Sequence, residues 1–295
     1  MNIGITGASG FIGQSIAREA TRRGHHVIGY SRNPERQVAN CEQTRLFSPD
    51  APLDLSGCQA VIHLAGETVF GLWTKAKRNR ILESRRSSTR MVADAMLKSS
   101  TPPEVLVCAS GIGFYGDTGE SEVDESAPAG EGFFSEVAQI WEEEAERAAG
   151  RGIRVVKLRI SLVLGREGGA LQRMLPIFRL GLGGRLGNGR QWVSWIHQAD
   201  LCSLTLFAIE TPKVIGALNA CAPEPVRNQE LTITLAKAIR RPALFPVPGI
   251  LLKSLLGEFS GELLDSKRVI PQRAREYGFR FQYPTLGAAL GELVG

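Results

Sequence analysis

The residues best suited to chemistry lie in the first thirteen positions. Asn2-Ile3-Gly4-Ile5-Thr6-Gly7-Ala8-Ser9-Gly10-Phe11-Ile12-Gly13 carries a short apolar strand into glycines at positions 7, 10 and 13 and then into a helix. A pyrophosphate is held by bare backbone N–H groups at a helix N-terminus, and side chains at such glycines would hold it off. Gly7, Gly10, Phe11, Ile12 and Gly13 are therefore candidate dinucleotide contacts, although the spacing is G-x-x-G-x-x-G rather than G-x-G-x-x-G.

The flanking pattern separates this reading from an ordinary glycine turn. Ile3 and Ile5 precede the loop as a buried strand should, Ile16, Ala17 and Ala20 follow at helical spacing, and Gly24 is placed to end that helix. Val27, Ile28 and Tyr30 form a second strand and complete a βαβ unit. Dinucleotide sites selective for NAD usually place Asp or Glu at the end of this strand, where it accepts hydrogen bonds from the ribose. Here the residues are Ser31-Arg32. With no carboxylate to repel a 2′-phosphate, and a planar guanidinium to pair with one, the expected cofactor is NADP.

The rest of the chain must position these groups. Its 295 residues suffice for a large α/β domain and a smaller lobe. Further strands are expected at 45–47, 60–65, 105–109 and 154–159. A helix between the last two buries Val137, Ile140, Trp141, Ala145 and Ala148. Such alternation implies an α/β, Rossmann-like, doubly wound parallel sheet, with ligands beyond the carboxyl ends of its strands, where Gly7, Ser31, Ala65 and Ser110 would converge. A helix near 170–180, a strand over 191–197, a helix over 200–209 and a loop-rich tail follow. The expected division is a dinucleotide-binding domain over 1–165, with segments near 191–221 returning to it. A smaller C-terminal α/β lobe covers 166–295, including a C-terminal domain from about residue 245.

Composition excludes several classes. No apolar run is long enough to span a membrane, and the chain begins with a strand rather than a signal peptide, so a cytoplasmic protein with no membrane contact is expected. The scattered Cys41, Cys58, Cys108, Cys202 and Cys221 read as reduced core thiols, and the four histidines lack metal-ligand spacing, so no metal site is expected. A net charge of +5 suits anionic ligands without requiring nucleic acid. The basic run Lys75, Lys77, Arg78, Arg80, Arg85, Arg86, Arg90 has only Phe70 and Trp73 near it, which disfavours nucleic-acid binding.

Several segments together resemble the extended short-chain dehydrogenase/reductase superfamily: Thr6 to Gly13, His63-Leu64-Ala65-Gly66, Ala109-Ser110 with Phe114-Tyr115-Gly116, Leu158-Arg159 with Val163-Leu164-Gly165, and Trp195-Ile196-His197 with Asp200. Within it the chain is similar to an "epimerase family" subgroup with a C-terminal domain of unknown function. That likeness rests on Ala65-Gly66-Glu67, Ser84-Arg85, the run Phe178 to Gly184, Arg268-Val269-Ile270-Pro271, Gly278-Phe279 and Tyr283-Pro284. The resemblance implies a Rossmann-type NAD(P) domain. It assigns cofactor contact to the first glycine loop, to Ser31 and Arg32, and to Leu64 and Ala65, with Gly66, Glu67 and Arg85 as further contacts.

The chain departs from the superfamily where the reaction is run. Superfamily chemistry uses a Tyr-x-x-x-Lys pair on the helix after the fifth strand. Here Phe133 and Phe134 occupy the tyrosine region, and Val137 or Ala138 the lysine position. Counting back from Tyr115-Gly116 puts Gly111 at the usual Ser/Thr site, with Ser110 one residue earlier. Ser110 is the candidate polar contact to substrate or nicotinamide. Tyr115 is either a proton-handling residue or a packing residue. With a pKa of about 10, an unassisted tyrosine is ionised in only about one molecule in a thousand at pH 7, so Arg85 or Arg159 would have to stand beside it.

Among the remaining candidates, His63 reads as a satisfied core histidine, Asp200 as a helix N-cap, and Glu142-Glu143-Glu144 as a solvated helix turn. Trp192 and Trp195 are expected to share one face of a strand, as lobe core or as the floor of a substrate pocket. Two functions stay open. One is an NADP-dependent oxidoreductase or epimerase acting on a small carbonyl or sugar-like substrate. The other is an NADP(H)-bound sensor or interaction module without chemistry. Expected partners are the small-molecule substrate and, as a candidate assembly, a second copy of the chain.

Overall fold

The computed structural model describes every residue except Leu72 and Glu258, and the side chain of Leu256 is likewise left aside. Its elements are β1 (Asn2–Thr6), α1 (Phe11–Arg22), β2 (His26–Ser31), β3 (Gln43–Leu46), β4 (Ala60–His63), α2 (Lys75–Lys98), β5 (Val105–Gly111), α3 (Phe133–Glu146), β6 (Arg154–Ile160), β7 (Leu162–Leu164), α4 (Gly169–Arg179), β8 (Trp192–Val193), β9 (Trp195–His197), α5 (Gln198–Glu210), β10 (Gly216–Ala220), β11 (Val226–Arg227), α6 (Asn228–Ala238), α7 (Gly249–Leu256), α8 (Phe259–Leu264), α9 (Gln272–Glu276) and α10 (Leu286–Val294).

Seven strands form one parallel sheet in the order β10-β6-β5-β4-β1-β2-β3. The strand order reverses between β1 and β4, the switch point at which doubly wound sheets bind ligands. Helices α1 and α5 cover one face through Ile16, Ala17, Ala20, Leu201 and Leu204, packed on Ile3, Ile5, Ile62 and Val107. The other face packs Val61, Leu106 and Val155 against α2 and α3 through Val92, Met96 and Ala145. Each large aliphatic side chain buried this way stabilises the fold by roughly 1.5–3 kcal/mol, which sets the sheet as the rigid platform for the site. A third cluster joins Leu171, Leu175, Trp195, Leu231, Leu235 and Leu290.

The strand expected over 191–197 is two strands broken at Ser194, whose hydroxyl donates to the carbonyl of Lys267 at 2.8 Å and accepts from the Val269 N–H at 2.9 Å. Trp192 and Trp195 therefore share no face, and a spacing of three would oppose them in any period-two strand. Trp195 is fully buried with its indole N–H on the Glu224 carbonyl at 3.0 Å, whereas Trp192 donates to Glu120 at 3.1 Å beneath Arg227 and Arg268.

Asp200 is not the N-cap of α5. His197 fills that position, its Nδ1 accepting from the Ala199 N–H at 3.1 Å. Asp200 instead accepts the N–H groups of Gln282 and Tyr283 at 2.7 and 2.9 Å, and so ties the C-terminal tail to the sheet domain. No helix among the described residues is long and apolar enough to cross a membrane. No cluster of three or more His, Cys, Asp or Glu among them could hold a metal ion.

Candidate functional site

The sheet's carboxyl edge carries two sites of opposite character. At β1, Thr6 hands the chain to Gly7, which turns at φ +73°, and Gly10 N–H closes the loop on the Gly7 carbonyl at 3.0 Å. Helix α1 then starts at Phe11. Its N-cap is Gly10, which offers no side-chain acceptor, and its first turn has no acidic residue. The orphan N–H groups of that turn are left for an anion. A side chain at Gly13 would place its Cβ 2.3 Å from the Gly7 carbonyl oxygen, so the third glycine lets α1 press against the loop. The Phe11 ring fills the space against the 165–169 loop, where a Cβ at Gly168 would come within 2.4 Å of it.

Beneath this loop the polar groups are paired. Thr6 Oγ1 accepts the N–H groups of Leu64 and Ala65 at 3.2 and 3.4 Å and lies 2.6 Å from His63 Nδ1. Having accepted twice, the hydroxyl donates its proton to Nδ1, which leaves Nε2–H to donate to Thr89 at 3.1 Å. Burial, with Arg85 nearby, lowers the His63 pKa to about 3, so the ring is a neutral, satisfied core residue as expected.

Ser31 ends β2, its Oγ accepting from Asn33 N–H at 3.2 Å, and Arg32 is exposed beside it. Across the cleft, Glu67 pairs with Lys77 at 2.5 Å and accepts a bond at its backbone carbonyl from Arg85 at 3.0 Å. The Glu67 carboxyl is held below the usual range, chiefly by Lys77 and further by Arg80 and Arg32, so Arg32 lies within electrostatic reach of Glu67. Arg85 does turn inward. Its guanidinium supports the Gly66–Glu67 turn, stacks 4.7 Å from the Trp141 ring centre, and has its pKa lowered by burial to about 10.

The second site lies two strands away. Strand register places Ser110, Arg159 and Asn219 side by side across β5, β6 and β10, each next to last in its strand. Glu142 descends from α3 onto this row. It accepts from Ser110 Oγ at 2.8 Å, from Arg159 Nε at 2.7 Å and from Arg159 Nη2 at 2.8 Å. Arg159 Nη1 donates to the Tyr115 hydroxyl at 2.8 Å, which donates in turn to Asn219 Oδ1 at 2.7 Å, while the guanidinium covers the Phe114 ring at 3.4 Å. All five polar residues are buried.

Burial outweighs Arg159 and pushes the Tyr115 pKa up to about 12, so the phenol is neutral at pH 7 and its proton is committed to Asn219. The glutamate run is not a solvated turn, for Glu142 and Glu144 are buried and Glu144 pairs with Arg90. The missed signal was spacing: Glu142 falls four residues after Ala138 and three before Ala145, on the helix's apolar face.

Where a catalytic tyrosine and lysine would stand, the first turn of α3 presents rings. Phe133 and Phe134 pack at 5.1 and 4.7 Å from Trp73, which also meets Phe259 at 5.5 Å. Val137 and Ala138 are buried below them. The first-turn residues of α3 thus offer neither a phenol nor an ammonium to a substrate.

Residues 3–221 match the model of the NAD-dependent epimerase/dehydratase family, and residues 247–293 match a domain of unknown function, DUF1731. The chain belongs to the NAD-dependent epimerase/dehydratase family. Epimerase family protein YfhF of Bacillus subtilis is 38% identical over 298 residues, covering 100% of this chain and 98% of that protein. The crystal structure of human epimerase family protein SDR39U1 (isoform 2) with NADPH superposes at a TM-score of 0.94 with 35% identity, covering 100% of this chain and 99% of that one. A nucleoside-diphosphate sugar epimerase from Corynebacterium glutamicum matches at 0.81 with 29% identity, covering 100% of this chain and 58% of that one. The family fold is thus the extended short-chain type that the sequence resembles.

Proposed function

We propose that this family member binds NADP(H) and exchanges hydride with a small carbonyl or sugar-like substrate, with water rather than a tyrosine supplying the proton. The observation that carries the reading is the bare N-terminus of α1 behind Gly7, Gly10 and Gly13, with Ser31-Arg32 facing it across the β1–β2 edge. These residues fit the cofactor: no side chain caps the helix, and Arg32 is a cation placed to pair with a 2′-phosphate. The NADPH bound in the human SDR39U1 structure supports the same choice. A bound reduced nicotinamide would supply hydride. The chain's own part is to bind and orient, through the α1 N-terminus, Arg32 and the turn that Arg85 braces.

A second reading is an NADP(H)-bound sensor in the same cytoplasmic setting. It is favoured by the committed protons of Ser110 and Tyr115 and by the phenylalanines at the tyrosine position. Purified protein is screened with NADPH against a panel of carbonyl compounds and nucleotide sugars, following the nicotinamide absorbance in single turnover. Turnover on one of these compounds that is retained in Tyr115→Phe supports the enzyme with water as the proton source. Tight NADPH binding without turnover on any compound replaces it with the sensor.

A further inference from the structure

The smaller lobe presents a surface unlike the rest of the molecule. Residues 181–187 pair with 243–247 through the Leu182–Ala243 and Leu186–Val247 bridges, α4 leads into the first segment, and α7 leaves the second. Ile177, Leu180, Leu182, Leu244, Phe245, Ile250, Leu251 and Leu255 are all exposed along it, with Leu180 and Leu244 at 75% and Ile250 at 84%. Single exposed apolar side chains are normal, whereas eight on these two paired segments and their flanking helices mark a contact surface. Helix α7 makes the point locally. Leu252 already buries its inward side, yet Ile250, Leu251 and Leu255 face out, where a helix bathed in water carries polar residues.

Charge identifies what covers it. Segments 169–187 and 240–257 contain Arg173, Arg179, Arg185, Arg240, Arg241 and Lys253 and no Asp or Glu. All six cations are exposed, and none forms an ion pair among the described residues; Asp265 lies near enough to Lys253 to sense it, and Arg173 rests on the Phe70 ring. A second copy docked by a two-fold axis would set these cations against themselves. Exposed apolar side chains on segments that also carry exposed cations suit a surface that is greasy within and negative at its rim.

We propose that this face seats the protein on an anionic lipid bilayer, with Leu180, Leu244, Phe245 and the outer side of α7 entering the headgroup region and the six cations meeting lipid phosphates. The absence of a spanning run, which led the sequence reading to expect no membrane contact, does not bear on a surface-lying contact. The full chain is tested by flotation with vesicles of phosphatidylcholine alone or mixed with phosphatidylglycerol.

The protein floats with the mixed vesicles, not with phosphatidylcholine, and raised salt releases it. Arg240→Glu with Arg241→Glu lowers partitioning by more than about tenfold, since each basic residue near such a surface contributes roughly fivefold. Ile250→Ser with Leu251→Ser lowers it by about tenfold through lost apolar insertion. Both pairs are exposed and leave NADPH affinity unchanged, which reports that the variants fold. Equal behaviour with the two kinds of vesicle, or variants that float like the parent, overturns the proposal. So does a dimer in sedimentation that Ile250→Ser dissociates while vesicles are ignored, because the face would then join two copies.

Discussion

The two ends of the sheet's carboxyl edge differ in what they leave undone. At β1 and β2 the loop holds back donors: the first turn of α1 has no side-chain cap and no acid, and Arg32 is exposed. At β5, β6 and β10 Ser110, Glu142, Arg159, Tyr115 and Asn219 form one continuous chain of bonds, which Asn219 extends to the Ile270 carbonyl. Unsatisfied donors at a surface are where a ligand gains free energy, whereas a saturated buried network holds neighbouring strands and helices in place. We therefore propose that binding belongs to the first region and that the second serves as a frame, although it occupies the position where the superfamily runs its reaction.

The sharpest way to break this contrast is to cut the frame. Glu142→Ala leaves Arg159 buried without its carboxylate and is expected to lower stability by about 3–5 kcal/mol in urea unfolding, with little change in NADPH affinity if the protein stays folded in the assay. An unchanged unfolding midpoint would show that the pair is not the keystone of the network. Next in size is Gly13→Val, whose Cβ would collide with the Gly7 carbonyl. Overpacking of roughly 1–3 kcal/mol, read as about a tenfold to hundredfold loss of NADPH affinity in fluorescence titration, is expected.

Titration sharpens the comparison further. The His63 pKa falls from the ordinary 6.5 to about 3 on folding, so the unfolded chain binds the extra proton first. Its contribution to stability is complete above pH 6.5 and is lost as pH drops toward 3, at up to about 1.4 kcal/mol per pH unit. His63→Gln should flatten that part of the stability profile, and an unchanged slope would contradict the buried neutral ring. Tyr115 runs the other way, since its pKa rises on folding from 10 to about 12. Its contribution is complete below pH 10 and is lost as pH climbs toward 12. Tyr115→Phe should remove this alkaline slope and cost about 1–3 kcal/mol or more at neutral pH, because the buried Arg159 Nη1 and Asn219 Oδ1 each lose a partner.

What the sequence made legible follows the range of the interactions. The β1–α1–β2 unit, the buried strands and the burial of His63 were readable because apolar periodicity and glycine spacing act over a few residues. The frame was not. Ser110 meets Arg159, and Arg159 meets Asn219, only through strand register fixed between distant segments. Glu142 was hidden in a run of three glutamates of which two are buried. The break at Ser194 and the clamp at Asp200 depend on the tail at Lys267, Val269, Gln282 and Tyr283, and nothing near residues 191–200 announces that partner. Ser194 and Asp200 were misjudged because their partners lie 73 to 83 residues away, and Glu142, whose partners lie 17 and 32 residues away, because of the glutamates beside it.

The central claim is that the β1–β2 edge selects a phosphorylated dinucleotide. It is tested most directly by isothermal titration of the parent and of Ser31→Asp with Arg32→Ala, each with NADPH and with NADH. A charge-assisted contact from Arg32 to the 2′-phosphate is worth about 1.5–3 kcal/mol, so the parent should prefer NADPH by at least about tenfold. In the double variant NADPH binding should weaken by a similar factor while NADH binding is spared. Equal affinity of the parent for the two cofactors, or an NADPH dissociation constant that the double change leaves unmoved, would contradict it.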